Sequence, residues 1–77
     1  MITVKLIHEK SGEPWRDQPV SVSIDGFFSG GYTKKKYTNR SGEADFDEVK
    51  PGRGKVYHGN RTIYEGELSG RTVVYAS

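Results

Sequence analysis

The sequence contains no cysteine, which excludes a disulfide framework and any cysteine-ligated zinc site. Apolar side chains are scarce as well: 32% of the 77 residues are hydrophobic, with one Trp and one Met among them. No apolar run approaches the roughly 18 residues of a membrane-spanning helix. The opening Met1-Ile2-Thr3-Val4-Lys5-Leu6-Ile7-His8 lacks the basic leader, long apolar stretch and small-residue cleavage site of a signal peptide. Helical periodicity is missing too, because Gly or Pro interrupts every window of about eleven residues that might carry it. What is left is one small domain, residues 1–77, with a thin core and modest stability. A cytoplasmic location follows if Met1 is the native start, and an extracytoplasmic one is open if the domain is excised from a larger protein.

Charge of one sign is also lacking. The formal net charge is +2, and residues 39–77 hold six basic and six acidic side chains, so the surplus sits in residues 1–38. It comes from Lys34-Lys35-Lys36, three residues where a nucleic-acid patch calls for about five to eight. The acidic residues Glu43, Asp45, Asp47 and Glu48 cluster a little further on.

What the chain does have is period-two alternation and turn chemistry. Ile2, Val4 and Leu6 alternate with Thr3 and Lys5, and Val20, Val22 and Ile24 with Ser21, Ser23 and Asp25. Both patterns read as strands with one buried and one wet face. Between them, Gly12, Pro14 and Pro19 mark a long loop. Residues 32–38 and 43–49 flank Asn39-Arg40-Ser41-Gly42, a turn whose Asn can bond its own backbone, and together they predict an antiparallel hairpin with Ala44 and Phe46 facing the core. In that hairpin Lys36 would face Asp45 and Lys34 would face Asp47, or Lys35 would face Asp47 if the loop carries a glycine bulge; either register gives the lysine run a structural role. Gly59-Asn60 predicts a second tight hairpin that sets Val56 against Ile63, and Ser69-Gly70 leads into a last strand. Seven short strands spaced about ten residues apart predict an all-β sandwich or barrel.

The order and spacing of Gly12-Glu13-Pro14, Pro19-Val20-Ser21-Val22, Thr38-Asn39-Arg40-Ser41-Gly42-Glu43-Ala44-Asp45-Phe46 and Val49-Lys50-Pro51-Gly52 resemble the carboxypeptidase-regulatory-like, or transthyretin-like, β-sandwich domains. The resemblance covers nearly the whole chain and implies a seven-stranded antiparallel Greek-key sandwich, with Ig-like layering. Its motifs are turn glycines and alternating apolar positions, so it speaks to architecture rather than activity. Two active branches of such folds are not matched. Hydroxyisourate hydrolases carry an early-strand histidine, which His8 could match, but also a C-terminal Tyr-Arg-Gly-Ser, where this chain has Tyr75-Ala76-Ser77. Pilin-type modules join a Lys to an Asn, and although Lys5 lies in the first strand, residues 71–77 contain no Asn or Asp.

No catalytic motif, cofactor cradle or metal spacing stands out. His8 and His58 titrate near neutrality but lack neighbours that complete a site. Glu43, Asp45 and Asp47 alternate along one strand face, which cannot wrap a cation. Asn39-Arg40-Ser41 and Asn60-Arg61-Thr62 are formal glycosylation sequons for which turn chemistry is the simpler explanation. Aromatics carry the best functional hint. Phe27, Phe28 and Tyr32 bracket Ser29-Gly30-Gly31 in a connection between strands, and Trp15 sits in the long first loop, placed to lid the open end of a sandwich. A partner, if there is one, should touch Phe27, Phe28, Tyr32 or Trp15. The sequence is therefore read as a non-catalytic interaction or spacer module whose partner is another protein or a polysaccharide. The rival readings are a carbohydrate-binding module and, less favoured, a weak single-stranded nucleic-acid binder using Lys34 to Lys36 with Tyr32 and Tyr37.

Overall fold

The computed structural model describes residues 1–26 and 32–77. These form seven strands and no helix: β1 (Ile2–His8), β2 (Pro19–Ile24), β3 (Lys36–Tyr37), β4 (Glu43–Phe46), β5 (Gly52–His58), β6 (Arg61–Leu68) and β7 (Gly70–Ala76). They assemble into a three-stranded sheet in the order β4-β1-β7 and a four-stranded sheet in the order β3-β2-β5-β6. One core joins the two. Ile2, Val4, Leu6, Ala44, Phe46, Val74 and Ala76 enter it from the first sheet, and Val20, Val22, Ile24, Val56 and Leu68 from the second. The alternation read in β1 and β2 therefore marks the buried face correctly, and Ala44 and Phe46 do face inward.

Strand direction departs from the antiparallel expectation. β1 and β7 run parallel, paired from Ile2↔Gly70 to His8↔Ala76. Alternating apolar positions encode which face is buried and say nothing of direction. After β6 the chain passes through Ser69 from one sheet to the other, so β7 meets β1 without a local turn to reverse it.

The hairpin expected over residues 32–49 does not form. Its first arm shrinks to β3, which pairs with β2 through Pro19↔Tyr37 and Val20↔Lys36. Its second arm, β4, pairs instead with β1 from Ile2↔Phe46 to Lys5↔Glu43. The turn itself is as anticipated: Asn39 Oδ1 accepts from the Ser41 and Glu43 amides at 2.9 and 3.0 Å, and the Gly42 amide donates to the Asn39 carbonyl at 2.9 Å. It steps between sheets rather than folding back within one. Gly42 is required there on two counts. Its φ is +76°, and a Cβ would lie 2.6 Å from the Leu6 carbonyl oxygen, the atom row against which Gly42 docks by accepting from the Leu6 amide at 2.7 Å.

The cross-strand charge pairs fall with the hairpin. Asp45 accepts from Thr3 Oγ1 at 2.7 Å, Glu43 pairs with Arg71 at 2.7 Å, and Lys36 reaches Glu48 at 3.9 Å while its ammonium lies 5.7 Å from the Phe46 ring centre. The second hairpin forms with Gly59 at φ +63° between the paired His58 and Arg61. A bulge after Val56 shifts its register, so that Val56 faces Tyr64 instead of Ile63.

Candidate functional site

Register fixes what each outer face presents. On the four-stranded sheet Val20, Val22 and Val56 point inward, so their neighbours Pro19, Ser21, Ser23 and Tyr57 point outward, and Tyr37 shares that outer face because it pairs with Pro19. Tyr37 is 66% exposed and Tyr32 is 58% exposed. The Tyr32 ring leans on Tyr57, with centroids 5.1 Å apart and planes tilted by 44°. Tyr57 is held in turn by a hydrogen bond between its hydroxyl and Ser23 Oγ at 3.3 Å. Tyr32 itself is positioned by its neighbour Thr33, whose amide donates to the Val22 carbonyl at 2.9 Å and whose Oγ1 accepts from the Val22 amide at 3.0 Å. Further along β5, Lys55 faces Glu65 and Arg53 faces Glu67 across β6. Ser21 Oγ is buried beneath this face with no protein partner among the described residues.

Trp15 lies elsewhere, at the end of the sandwich where β1 and β5 finish. It is half-buried against the core and sits between two histidines, His8 edge-on at 4.6 Å and His58 tilted at 4.8 Å. The loop before β2 is pinned to hold it: the Trp15 amide donates to the Leu6 carbonyl at 2.9 Å, Thr38 Oγ1 donates to the Trp15 carbonyl at 2.6 Å, and the Gln18 amide donates to Thr38 Oγ1 at 2.9 Å. His58 Nε2 donates to Gln18 Oε1 at 2.9 Å, which assigns the tautomer because an amide oxygen can only accept. Burial, and secondarily the positive charge of Arg61, hold the His58 imidazole below its ordinary value of 6.5. His8 Nδ1 is buried without a protein partner among the described residues.

Of the residues singled out in the sequence, Tyr32 and Trp15 are thus not brought together: one is on the outer face of the four-stranded sheet, the other under the end of the sandwich. Phe27 and Phe28 lie outside the described residues. No family model matches the chain, and no curated protein or solved structure matches it. Among the described residues no group of three or more His, Asp or Glu gathers as a metal site, and no cavity opens. Among the described residues no helix is long and apolar enough to cross a membrane.

Two features escaped the sequence reading. Tyr57 is an outward position of β5, in step with Arg53 and Lys55, and that period-two step was the available signal. The convergence of His8 and His58 on Trp15 had none, since the two histidines lie 50 positions apart (58 − 8) and meet only when β1 and β5 end side by side.

Proposed function

We propose that this chain is a non-catalytic β-sandwich interaction module that engages another protein through the tyrosines on the outer face of its four-stranded sheet. The observation that carries this is the exposure of Tyr32 and Tyr37, 58% and 66% respectively, on the face that also holds Tyr57. Tyrosine supplies large contact area with little side-chain entropy to lose, and aromatic anchors dominate protein contacts. The resemblance to transthyretin-like, carboxypeptidase-regulatory-like domains, with their Greek-key sandwich, is consistent with a supporting rather than a catalytic role.

The carbohydrate and nucleic-acid readings would use the same rings and differ in what else they need. Stacking on a sugar or base calls for a flat, free ring, and Tyr32 is tilted onto Tyr57. A nucleic-acid footprint calls for a row of free cations, and Lys36 is drawn off toward Glu48 and Phe46.

A photo-crosslinking amino acid at position 37 separates the readings. It should capture protein partners that Tyr32→Ser together with a distant exposed control, Glu9→Ser, distinguish: capture falls with the first and is unchanged with the second. Amide and ring shifts in a ¹⁵N, ¹³C titration should stay flat with a soluble glucan and with oligothymidylate. Saturable, salt-independent shifts of Tyr32 and Tyr37 on glucan addition would replace the protein reading with a carbohydrate one, and shifts that vanish steeply with salt on oligothymidylate addition would replace it with nucleic acid.

A further inference from the structure

The outer strand of the three-stranded sheet, β7, has an edge with no strand beside it among the described residues. In a strand, the N–H and C=O of one residue point to the same side, and successive residues alternate. The Ala76 carbonyl accepts from the Glu9 amide at 2.8 Å on the β1 side, so Gly70, Thr72, Val74 and Ala76 direct their backbone groups into the sheet. Arg71, Val73 and Tyr75 direct theirs to the open edge. The same three residues have their side chains in solvent, Val73 at 46% and Tyr75 at 60% exposure. Two residues beyond Tyr75, the Ser77 carbonyl is already taken by Arg61 Nη2 at 2.8 Å, which ends the open stretch.

Protein edges are normally blunted by proline, by bulges, by inward charge or by a covering segment. The edge strand β6 of the other sheet has such a device, a bulge at Ile63, which is skipped between the Val56↔Tyr64 and Tyr57↔Thr62 pairs, and it carries Arg61, Glu65 and Glu67 along its length. β7 reads Gly-Arg-Thr-Val-Val-Tyr-Ala, with one charge, no proline and no irregularity in its seven-residue pairing to β1.

We propose that β7 pairs antiparallel with β7 of a second copy of this chain, joining two three-stranded sheets into one continuous sheet across a two-fold axis at Val73. The register follows from the chain's own sequence. With Val73 opposite the partner's Val73, Arg71 falls opposite the partner's Tyr75 on both sides of the axis, and all three outward backbone positions of each strand are used, for about six inter-chain hydrogen bonds. The β-branched pair at the centre is a favourable cross-strand neighbour, and Arg71, whose charge Glu43 already pairs at 2.7 Å within its own sheet, sets no like charge against the partner's Tyr75. Centring the axis on Arg71 would set two guanidinium groups against each other, and centring it on Tyr75 would set Val73 against Ser77, whose carbonyl Arg61 holds. An axis on Thr72 would set Tyr75 against Ser69 and one on Val74 would set Arg71 against Ser77, so the register that pairs all three outward positions among themselves without opposing like charges is the one at Val73. A contact this narrow belongs with weak, concentration-dependent associations. It is independent of the tyrosine face, which lies on the other sheet.

Because position 73 pairs with itself, charge complementation tests the proposal directly. Sedimentation equilibrium on the full chain should show a monomer–dimer equilibrium, and Val73→Lys and Val73→Glu should each raise its dissociation constant by about tenfold or more, since like charges sit directly opposite one another. An equimolar mixture of the two variants should restore a dimer, now heteromeric. Circular dichroism melts should show both variants folded, because the Val73 side chain is in solvent. Val73→Pro provides a second route: its amide points to the open edge, so the fold should survive while the dimer is lost. A parent chain that stays monomeric at millimolar concentration, variants that dimerise as the parent does, or a mixture that fails to recover association would each overturn the proposal.

Discussion

On the outer face of the three-stranded sheet the polar side chains answer one another: Thr3 donates to Asp45 at 2.7 Å, and Arg71 pairs with Glu43 at 2.7 Å. On the outer face of the four-stranded sheet Tyr32 and Tyr37 stand more than half exposed around Tyr57 and two serines, one of them, Ser21, buried with no partner for its hydroxyl among the described residues. The two sheets draw on the same core yet leave opposite surfaces. Where charges and hydroxyls are matched a face has little to offer a partner, and the three-stranded sheet keeps exposed apolar area only at its β7 border, with Val73 at 46% and Tyr75 at 60%, whereas Tyr32 and Tyr37 offer it on the face of the other sheet. In the three-stranded sheet the candidate contact is the β7 edge, where open backbone groups run beside the exposed Val73 and Tyr75, and this places the two candidate contacts of the molecule on different sheets and in different chemistry.

The comparison breaks most completely where the sheets share material. Phe46→Ala should cost about 3 to 5 kcal/mol, comparable to the whole stability of a domain this small at about 4 to 12 kcal/mol, because Phe46 is fully buried between both sheets and carries Lys36 over its ring. Loss of the cooperative thermal transition is the expected result. A mild shift of the midpoint would show that the sheets hold together without it.

Gly42→Ala comes next, at about 1 to 3 kcal/mol, since the new Cβ meets the Leu6 carbonyl at a left-handed φ. The urea midpoint should fall, and the loss should be specific to the step between sheets: Gly12→Ala, which is also left-handed but has open space around it, should lose less.

Smaller effects sharpen the contrast between outer faces. Thr3→Val and Arg71→Ala should each lower stability by about 0.2 to 1 kcal/mol in thermal melts, as exposed pairs do. Tyr37→Ser should change it by under about 0.5 kcal/mol, because nothing in the core rests on that ring. A large loss at Tyr37 would show that the tyrosine face is structural and not a contact surface.

The smallest effect is pH-dependent. The folded state holds His58 below 6.5, so the unfolded chain binds the extra proton first. The resulting stability is present above the ordinary histidine value and is lost as pH falls through the depressed folded value. The melting midpoint of the parent should therefore drop more between pH 7.5 and 5 than that of His58→Gln, a difference read by scanning both proteins in parallel. Equal slopes would remove His58 from the account.

Read alone, the sequence determined the strands, their buried faces and the chemistry of the turns. Ile2, Val4, Leu6, Val20, Val22, Ile24 and Phe46 are inside as their alternation requires, and Asn39 and Gly59 make the turns that an amide side chain and the lack of a Cβ favour. These are local properties: a period of two and a permitted φ are decided within a few residues. Tertiary structure decided which strand meets which. Nothing near Asn39 distinguishes a turn that folds back in one sheet from a turn that steps to the other; β4 goes to β1 because Gly42 docks under Leu6 and because Thr3 and Arg71, 42 and 28 residues from their partners in sequence (45 − 3 and 71 − 43), are waiting for that strand's outer row. The parallel alignment of β1 and β7, the meeting of two histidines on Trp15 and the gathering of three tyrosines on one face are of the same kind. Each depends on residues far apart in the chain, whose pairing is fixed by burying a common core and not by any neighbour along the sequence.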